Sequence, residues 1–224
     1  MVKVNNELSN SPATHGYMVI EGPIGVGKTT LARRLSEVFE CELTVEKPEE
    51  NPFLERFYSN RRQYALPTQL AFLFQRVQQL QKFKQADFFK PVTVSDFFLE
   101  KDPLFARMNL DDDEYRLYQQ VYNQFAPQVP VPDLVVYLQA PVDVLLERIR
   151  HRGRDWEMAI ERDYLANLVD AYARLFLNYT DAPLLIINAA EINYVDGEED
   201  LAMLVDYIGT IKNGKHYFNP LKRS

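Results

Sequence analysis

The chain has 224 residues, 46% of them hydrophobic, and a net charge of -7. That size and composition suit a globular domain with an ordinary core, and the acidic balance argues against a nucleic-acid-binding surface. A single cysteine, Cys41, excludes an internal disulfide framework. His15, His151 and His216 show no metal-ligand spacing, and no apolar run approaches membrane-spanning length, so a cytoplasmic chain with no membrane partner is expected.

Residues 1–16, rich in Asn, Ser and Pro, read as a loose tail, with one domain over 17–224. Tyr17-Met18-Val19-Ile20 reads as a buried strand. The next stretch, Gly22 to Thr29, fits G-x-x-x-x-G-K-S/T, and a helix through about Phe39 follows it. Gly22, Gly25 and Gly27 let the backbone curl so that its N–H groups converge on phosphate oxygens, helped by the helix N-terminus. Lys28 is placed to reach the outer phosphates. The hydroxyls of Thr29 and Thr30 sit at the same end, with Thr29 a natural Mg²⁺ ligand.

A second strand, Glu42 to Val45, ends at Glu46, on the side where ligands bind in open α/β sheets. Pro48 and Pro52 delay the next helix to a short turn over Phe53–Tyr58. Pro67 is expected at the first position of a longer helix, buried through Leu70, Phe72, Leu73, Phe74, Val77 and Leu80. Pro91 to Asp96 reads as a third strand ending in an acid, followed by helices over 101–110 and 112–125. Leu134 to Leu138 is apolar throughout, as a central parallel strand should be. A helix from Val142 to Arg150 leads to the basic turn His151-Arg152-Gly153-Arg154. A long helix from about Glu157 to Tyr179, a fifth strand at 184–187 and a last helix ending near Ile211 complete the pattern, and 212–224 reads as a polar tail. The expected fold is α/β: a five-stranded parallel sheet covered by helices on both faces.

The phosphate loop by itself implies a nucleoside triphosphate. Arg148, Arg150, Arg152 and Arg154 crowd one glycine, which is costly unless an anion shares the site, so a mobile lid over transferring phosphates is the economical reading. The chain resembles the deoxynucleoside kinases, enzymes of P-loop fold that phosphorylate the 5′-hydroxyl of deoxyribonucleosides. Four stretches carry the resemblance. They are the glycine-rich loop; Glu46-Lys47-Pro48 with Asn51-Pro52-Phe53-Leu54 and Phe57-Tyr58; Gln69 with Arg76; and Arg148-Ile149 through Arg152-Gly153-Arg154 to Glu157.

The resemblance implies that Glu46 is the general base, that Gln69 reads the nucleobase with Arg76 behind it, and that Tyr58 and Glu157 hold the sugar 3′-hydroxyl. It makes 148–157 the lid, with Arg148, Arg152 and Arg154 offsetting phosphate charge, and sets 191–198 around the adenine of ATP. ATP with Mg²⁺, a deoxyribonucleoside and a homodimer are the implied partners. On the residues alone, Arg76 is equally a buried ion-pair member, Asp96 a helix cap, Phe72 a core residue and Trp156 a packing residue. One departure stands out. Where the family has Asp/Glu-Arg-Ser, this chain has Ser95-Asp96-Phe97. Asp96 is then the candidate carboxylate for Mg²⁺ and the reacting site, the arginine is missing, and Lys101 is a nearby replacement. The rivals are a thymidylate-like monophosphate kinase and a non-catalytic nucleotide-binding regulator.

Overall fold

Strands that are apolar on both faces need cover on both sides, and the chain supplies it by alternating strand and helix. The computed structural model describes residues 15–84, 92–194 and 197–219. The strands are β1 (Tyr17–Glu21), β2 (Glu42–Thr44), β3 (Thr93–Ser95), β4 (Leu134–Gln139), β5 (Leu184–Asn188) and β6 (Lys215–Phe218). They form one parallel sheet in the order β2-β3-β1-β4-β5-β6. β1 lies between β3 and β4, and the connections that leave β1 (to β2) and its neighbour β3 (to β4) run in opposite directions across the sheet. A crevice therefore opens beyond its carboxyl end, where open α/β sheets bind ligands.

The helices are α1 (Lys28–Val38), α2 (Leu54–Ser59), α3 (Arg61–Lys84), α4 (Asp102–Asn109), α5 (Asp112–Phe125), α6 (Val142–Arg152), α7 (Arg162–Leu177) and α8 (Glu198–Thr210). The core lies where β1, β4 and β5 meet α1 and α7. Met18, Val19, Ile20, Leu31, Leu35, Leu134, Leu138, Leu165 and Leu168 are all fully buried there.

The sheet has six strands rather than five. β6 falls in the stretch read as a polar tail, and it pairs with β5 from Leu184 opposite Lys215 onward. An edge strand has one neighbour and one wet face, so it carries no apolar run to announce it. Phe218 and His216 rest against Tyr207 of α8. At the other end, His15 is buried and the Gly16 carbonyl accepts from Thr93 N at 2.9 Å, so these two residues belong to the fold. The rest of the expected tail, 1–14, and Pro91 of the third strand lie outside the described residues.

Pro67 does not open its helix. α3 starts at Arg61 and runs through the proline at the expense of one ladder hydrogen bond. Packing holds that first turn: the Arg61 guanidinium lies 4.3 Å from the centre of the Tyr164 ring, and Ala65 is buried. Phe74 is 43% exposed, so it leaves the expected buried stripe. The basic turn is shorter than expected. α6 continues through Arg152 and stops at Gly153, whose φ of 67° is the left-handed conformation that ends many helices. The expected helix over 157–179 is two pieces, a 3-10 turn at Asp155–Ala159 and then α7. The break turns Glu157 inward, where it is buried.

Candidate active site

The carboxyl ends of β1, β2 and β3, together with α2, α3 and the Arg152–Glu157 turn, enclose a cleft of about 1150 Å³. The glycine-rich loop forms one end. At Gly27 φ is 106°, and a Cβ there would stand 2.4 Å from the Tyr194 hydroxyl, so only glycine fits. That hydroxyl donates to Val26 O at 3.0 Å. Arg148 braces the same carbonyl at 2.9 Å and Ala189 O at 2.8 Å. Lys28 Nζ donates to Gly22 O at 2.7 Å and Pro23 O at 3.2 Å, closing the loop on itself. Burial pulls its ammonium down from the usual lysine range, against the pull of Glu21. Thr29 and Thr30 lie in the first turn of α1 and line the cleft, as do Gly25 and Gly27, while Gly22 lies outside the lining, close against the Leu138 carbonyl.

Asp96 ties this end to the opposite wall. Its Oδ2 accepts from the Thr29 hydroxyl, and its Oδ1 accepts from the backbone N–H of Glu46 at 2.7 Å. It is not a helix cap, because the 3-10 turn that follows is capped by Phe98. Burial raises the Asp96 carboxyl above its ordinary range, which a cation beside it would reverse.

Glu46 stands just past β2. Its Oε1 accepts from Arg76 Nε at 2.6 Å and from the Arg76 terminal nitrogen at 2.5 Å. Burial acts to raise its pKa, but Arg76, Lys101 and Lys28 together hold it at about 2. Arg76 also pairs with buried Asp102 and lies over the Phe72 ring at 4.9 Å. Arg76 is thus a buried ion-pair member, and it also lines the cleft. Phe72 lines the cleft too.

Gln69 is buried on the same face of α3 and lines the cleft. Asn51 fixes the turn before α2 to this helix by donating to Thr68 O at 3.1 Å and accepting from Phe53 N at 3.1 Å. Tyr58, on α2, lines the wall shared with Glu157. The residues of the expected lid form their own cluster. Glu157 accepts from Arg152 at 2.5 Å and pairs with Arg154 at 3.6 Å, and Arg154 lies 5.8 Å from the centre of the Trp156 ring. Arg150 is exposed on α6, away from this cluster. Ile192, Asn193 and Tyr194 line the far side, while 195 and 196 lie outside the described residues.

Three residues went unnoticed in the sequence reading. Glu21 closes β1, fully buried, and its Oε2 accepts from Gly22 N at 2.5 Å and from the Tyr172 hydroxyl at 3.0 Å. Its Oε1 meets Lys101 Nζ at 2.8 Å. An acid ending an apolar strand just before the phosphate loop was a signal available for Glu21. Asp102, preceding Pro103 at a helix start, looked like an ordinary first-turn acid. Tyr172 sits in an aromatic stripe with Phe176 and gave no signal at all.

Thr29 and Asp96 suit Mg²⁺, which binds through one or two oxygen groups and otherwise takes water and phosphate oxygens. No cluster of three or more His, Cys, Asp or Glu side chains able to hold a metal occurs among the described residues. No described helix is long and apolar enough to cross a membrane.

The family model described as deoxynucleoside kinase matches residues 18–211. Deoxyguanosine kinase of Bacillus subtilis is 36% identical over 163 residues, covering 71% of this chain and 77% of the relative. Deoxyadenosine kinase of Dictyostelium discoideum is 32% identical over 195 residues, covering 84% of this chain and 77% of the relative. Among solved structures, deoxyadenosine kinase from M. mycoides with bound dATP superposes with a TM-score of 0.75 at 25% identity, over 87% of this chain and 100% of that one. The same enzyme with the products dCMP and dCDP gives 0.76 at 26% identity, with the same coverage.

Proposed function

The chain belongs to the deoxynucleoside kinase family, and from that premise we propose that it transfers the γ-phosphoryl group of ATP to the 5′-hydroxyl of a deoxyribonucleoside, as a nucleotide-salvage enzyme. One observation carries the reading. A single carboxylate, Asp96, bridges the phosphate-loop threonine to the backbone of Glu46, so the triphosphate end and an ionised acceptor carboxylate share one rigid wall. Phosphoryl transfer asks for little covalent chemistry from the protein. It needs an attacking oxygen held in line, a proton acceptor and cations for the spread phosphate charge.

In this reading the loop amides and Lys28 hold the β- and γ-phosphates. Glu46 orients the 5′-hydroxyl and takes its proton as the new P–O bond forms and the bond to ADP breaks. Gln69, with Arg76 behind it, reads the base, and Tyr58 with Glu157 holds the sugar 3′-hydroxyl. Arg152 and Arg154 turn from Glu157 to the phosphates as the lid closes, while Arg148 steadies the loop from behind. Thr29 and Asp96 would hold Mg²⁺, whose charge neutralises the phosphate oxygens when it is bound. A cytoplasmic location belongs to the same reading. A homodimer is part of the same reading, with exposed Phe74 on α3 and Leu117 on α5 as apolar surface available to it, and light scattering checks it.

The test is an acceptor panel with ATP and Mg²⁺. Deoxyguanosine and deoxyadenosine come first, followed by the pyrimidine deoxynucleosides, ribonucleosides and deoxynucleoside monophosphates. Conversion of a deoxynucleoside to its 5′-monophosphate is the expected result. Preference for a monophosphate acceptor would move the chain to the thymidylate-like kinases, and no transfer to any acceptor would leave a nucleotide-binding regulator.

A further inference from the structure

The two oxygens of Glu46 are not equivalent. Oε1 accepts twice from Arg76, at 2.5 and 2.6 Å. Oε2 has Lys101 Nζ as its neighbour at 3.7 Å, close enough for attraction and too far to occupy a lone pair. Lys101 itself is buried at 2% exposure in the 3-10 turn after β3, yet it lines the cleft. A buried ammonium is expensive unless a partner holds it. That partner is Glu21 at 2.8 Å. Glu21 is in turn pinned through its other oxygen to the first amide of the phosphate loop and to Tyr172 of α7. An apolar side chain of similar length would have filled this space without the desolvation of two charges, so packing alone does not account for the pair.

We propose that Lys101, anchored by Glu21, is a positioning residue that reserves Oε2 of Glu46 as the oxygen that takes the proton from the acceptor hydroxyl. The inference rests on the phosphotransfer reading above. Arg76 fixes the carboxylate by Oε1, and Lys101 fixes its rotation by drawing Oε2 towards the cleft without hydrogen-bonding it. A hydroxyl oxygen that donates to Oε2 then lies beside the ammonium as well. When the proton passes to Oε2, the electron pair left on the hydroxyl oxygen forms the bond to phosphorus, and the P–O bond to ADP breaks with its pair. Lys101 keeps all its protons throughout, because burial is outweighed by the neighbouring Glu21 and Glu46 carboxyls, which hold its pKa above the ordinary lysine range.

A double-mutant cycle tests this, because a residue that acts through Glu46 loses its effect once Glu46 can no longer accept a proton. Lys101→Met is expected to lower kcat by roughly 10–100-fold while leaving the ATP Kd within about 3-fold. In a Glu46→Gln background, followed with radiolabelled ATP, the same change should cost less than about 3-fold. Lys101→Met strands Glu21, so the cycle is repeated with Glu21→Gln/Lys101→Met, which removes the pair as a unit and keeps the fold measurable by thermal melting. Equal losses with and without the Glu46 carboxylate, or a loss confined to ATP binding, would overturn the proposal. A wild-type protein that phosphorylates a deoxynucleoside but gives an additive cycle fails this inference alone. One that phosphorylates no acceptor fails the functional reading first and this with it.

Discussion

The cleft has two groups of ion pairs that differ in how wet they are. On the floor, Arg76 with Asp102 and Lys101 with Glu21 are almost wholly buried on both sides. In the proposed lid, Arg152 and Arg154 are 38% and 37% exposed, while the Glu157 they share is buried. A dry pair is held by its surroundings, because separating it strands a charge in a poor solvent. A half-wet pair is held less firmly, because water can take up the freed arginine and Glu157 keeps a second arginine beside it. The floor is therefore suited to fixing one carboxylate against the phosphate loop, and the lid to exchanging a protein carboxylate for phosphate oxygens. Stillness is placed where an oxygen must be aimed, and looseness where a ligand must enter and leave.

The largest break in that contrast is at the floor's working group. Glu46→Gln keeps the shape and most contacts to Arg76 but removes the proposed proton acceptor. Turnover should fall by about 10²–10⁴-fold with ATP affinity nearly unchanged, as read by steady-state kinetics beside calorimetric binding. Equal loss of both would point to a structural carboxylate. Arg76→Met should act next, and on stability rather than on chemistry alone. It leaves Glu46 and Asp102 without their common cation and should cost about 3–5 kcal/mol. For a chain of this size that is a fall in melting temperature of roughly 6–20 °C. Adding Asp102→Asn should recover part of it by discharging the stranded acid. Arg152→Ala in the lid should do the reverse, lowering kcat by about 10–100-fold while stability moves by less than about 1 kcal/mol. If it destabilised the protein as much as Arg76→Met, the division between fixed floor and loose lid would be wrong.

The same division explains what the sequence made legible. The phosphate loop could be read because its backbone geometry demands glycine at set positions, and Gly27 shows the demand directly. The placement of Glu46 and Asp96 at the cleft could be read because each follows a strand on the ligand side of the sheet. The charge network behind them could not, because which carboxylate meets which cation depends on three strand ends that are far apart in the chain. Lys101 stands out only as a replacement for the missing arginine, Glu21 and Asp102 are unexceptional where they stand in the sequence, and only packing brings the three together. β6 was hidden for a different reason: a four-residue edge strand after a glycine turn carries no core pattern. The helix over 61–84 was misjudged at Pro67 because tertiary contacts of Arg61 and Ala65 outweigh a local propensity.

Glu100 gives the smallest and sharpest check, because it neighbours Lys101 in the same turn but has no cation paired with it among the described residues. Burial, with Asp181 and Asp102 nearby, pushes its pKa up to about 7 from an ordinary 4.5. Tyr17, Tyr122 and Tyr179 crowd it, and its charge raises their pKa values in turn. Because its folded pKa lies above its unfolded value, the native state holds the proton more tightly. The stabilisation is full below about pH 4.5 and is lost as pH rises through 7. Glu100→Gln cannot lose a proton, so it escapes that loss. Its stability relative to wild type should improve by about 1–3 kcal/mol between pH 5 and pH 8, measured by urea unfolding at both values. Parallel curves for the two proteins would mean that the floor tolerates a bare carboxylate, and that the pairing of Lys101 with Glu21 is not what burial there requires.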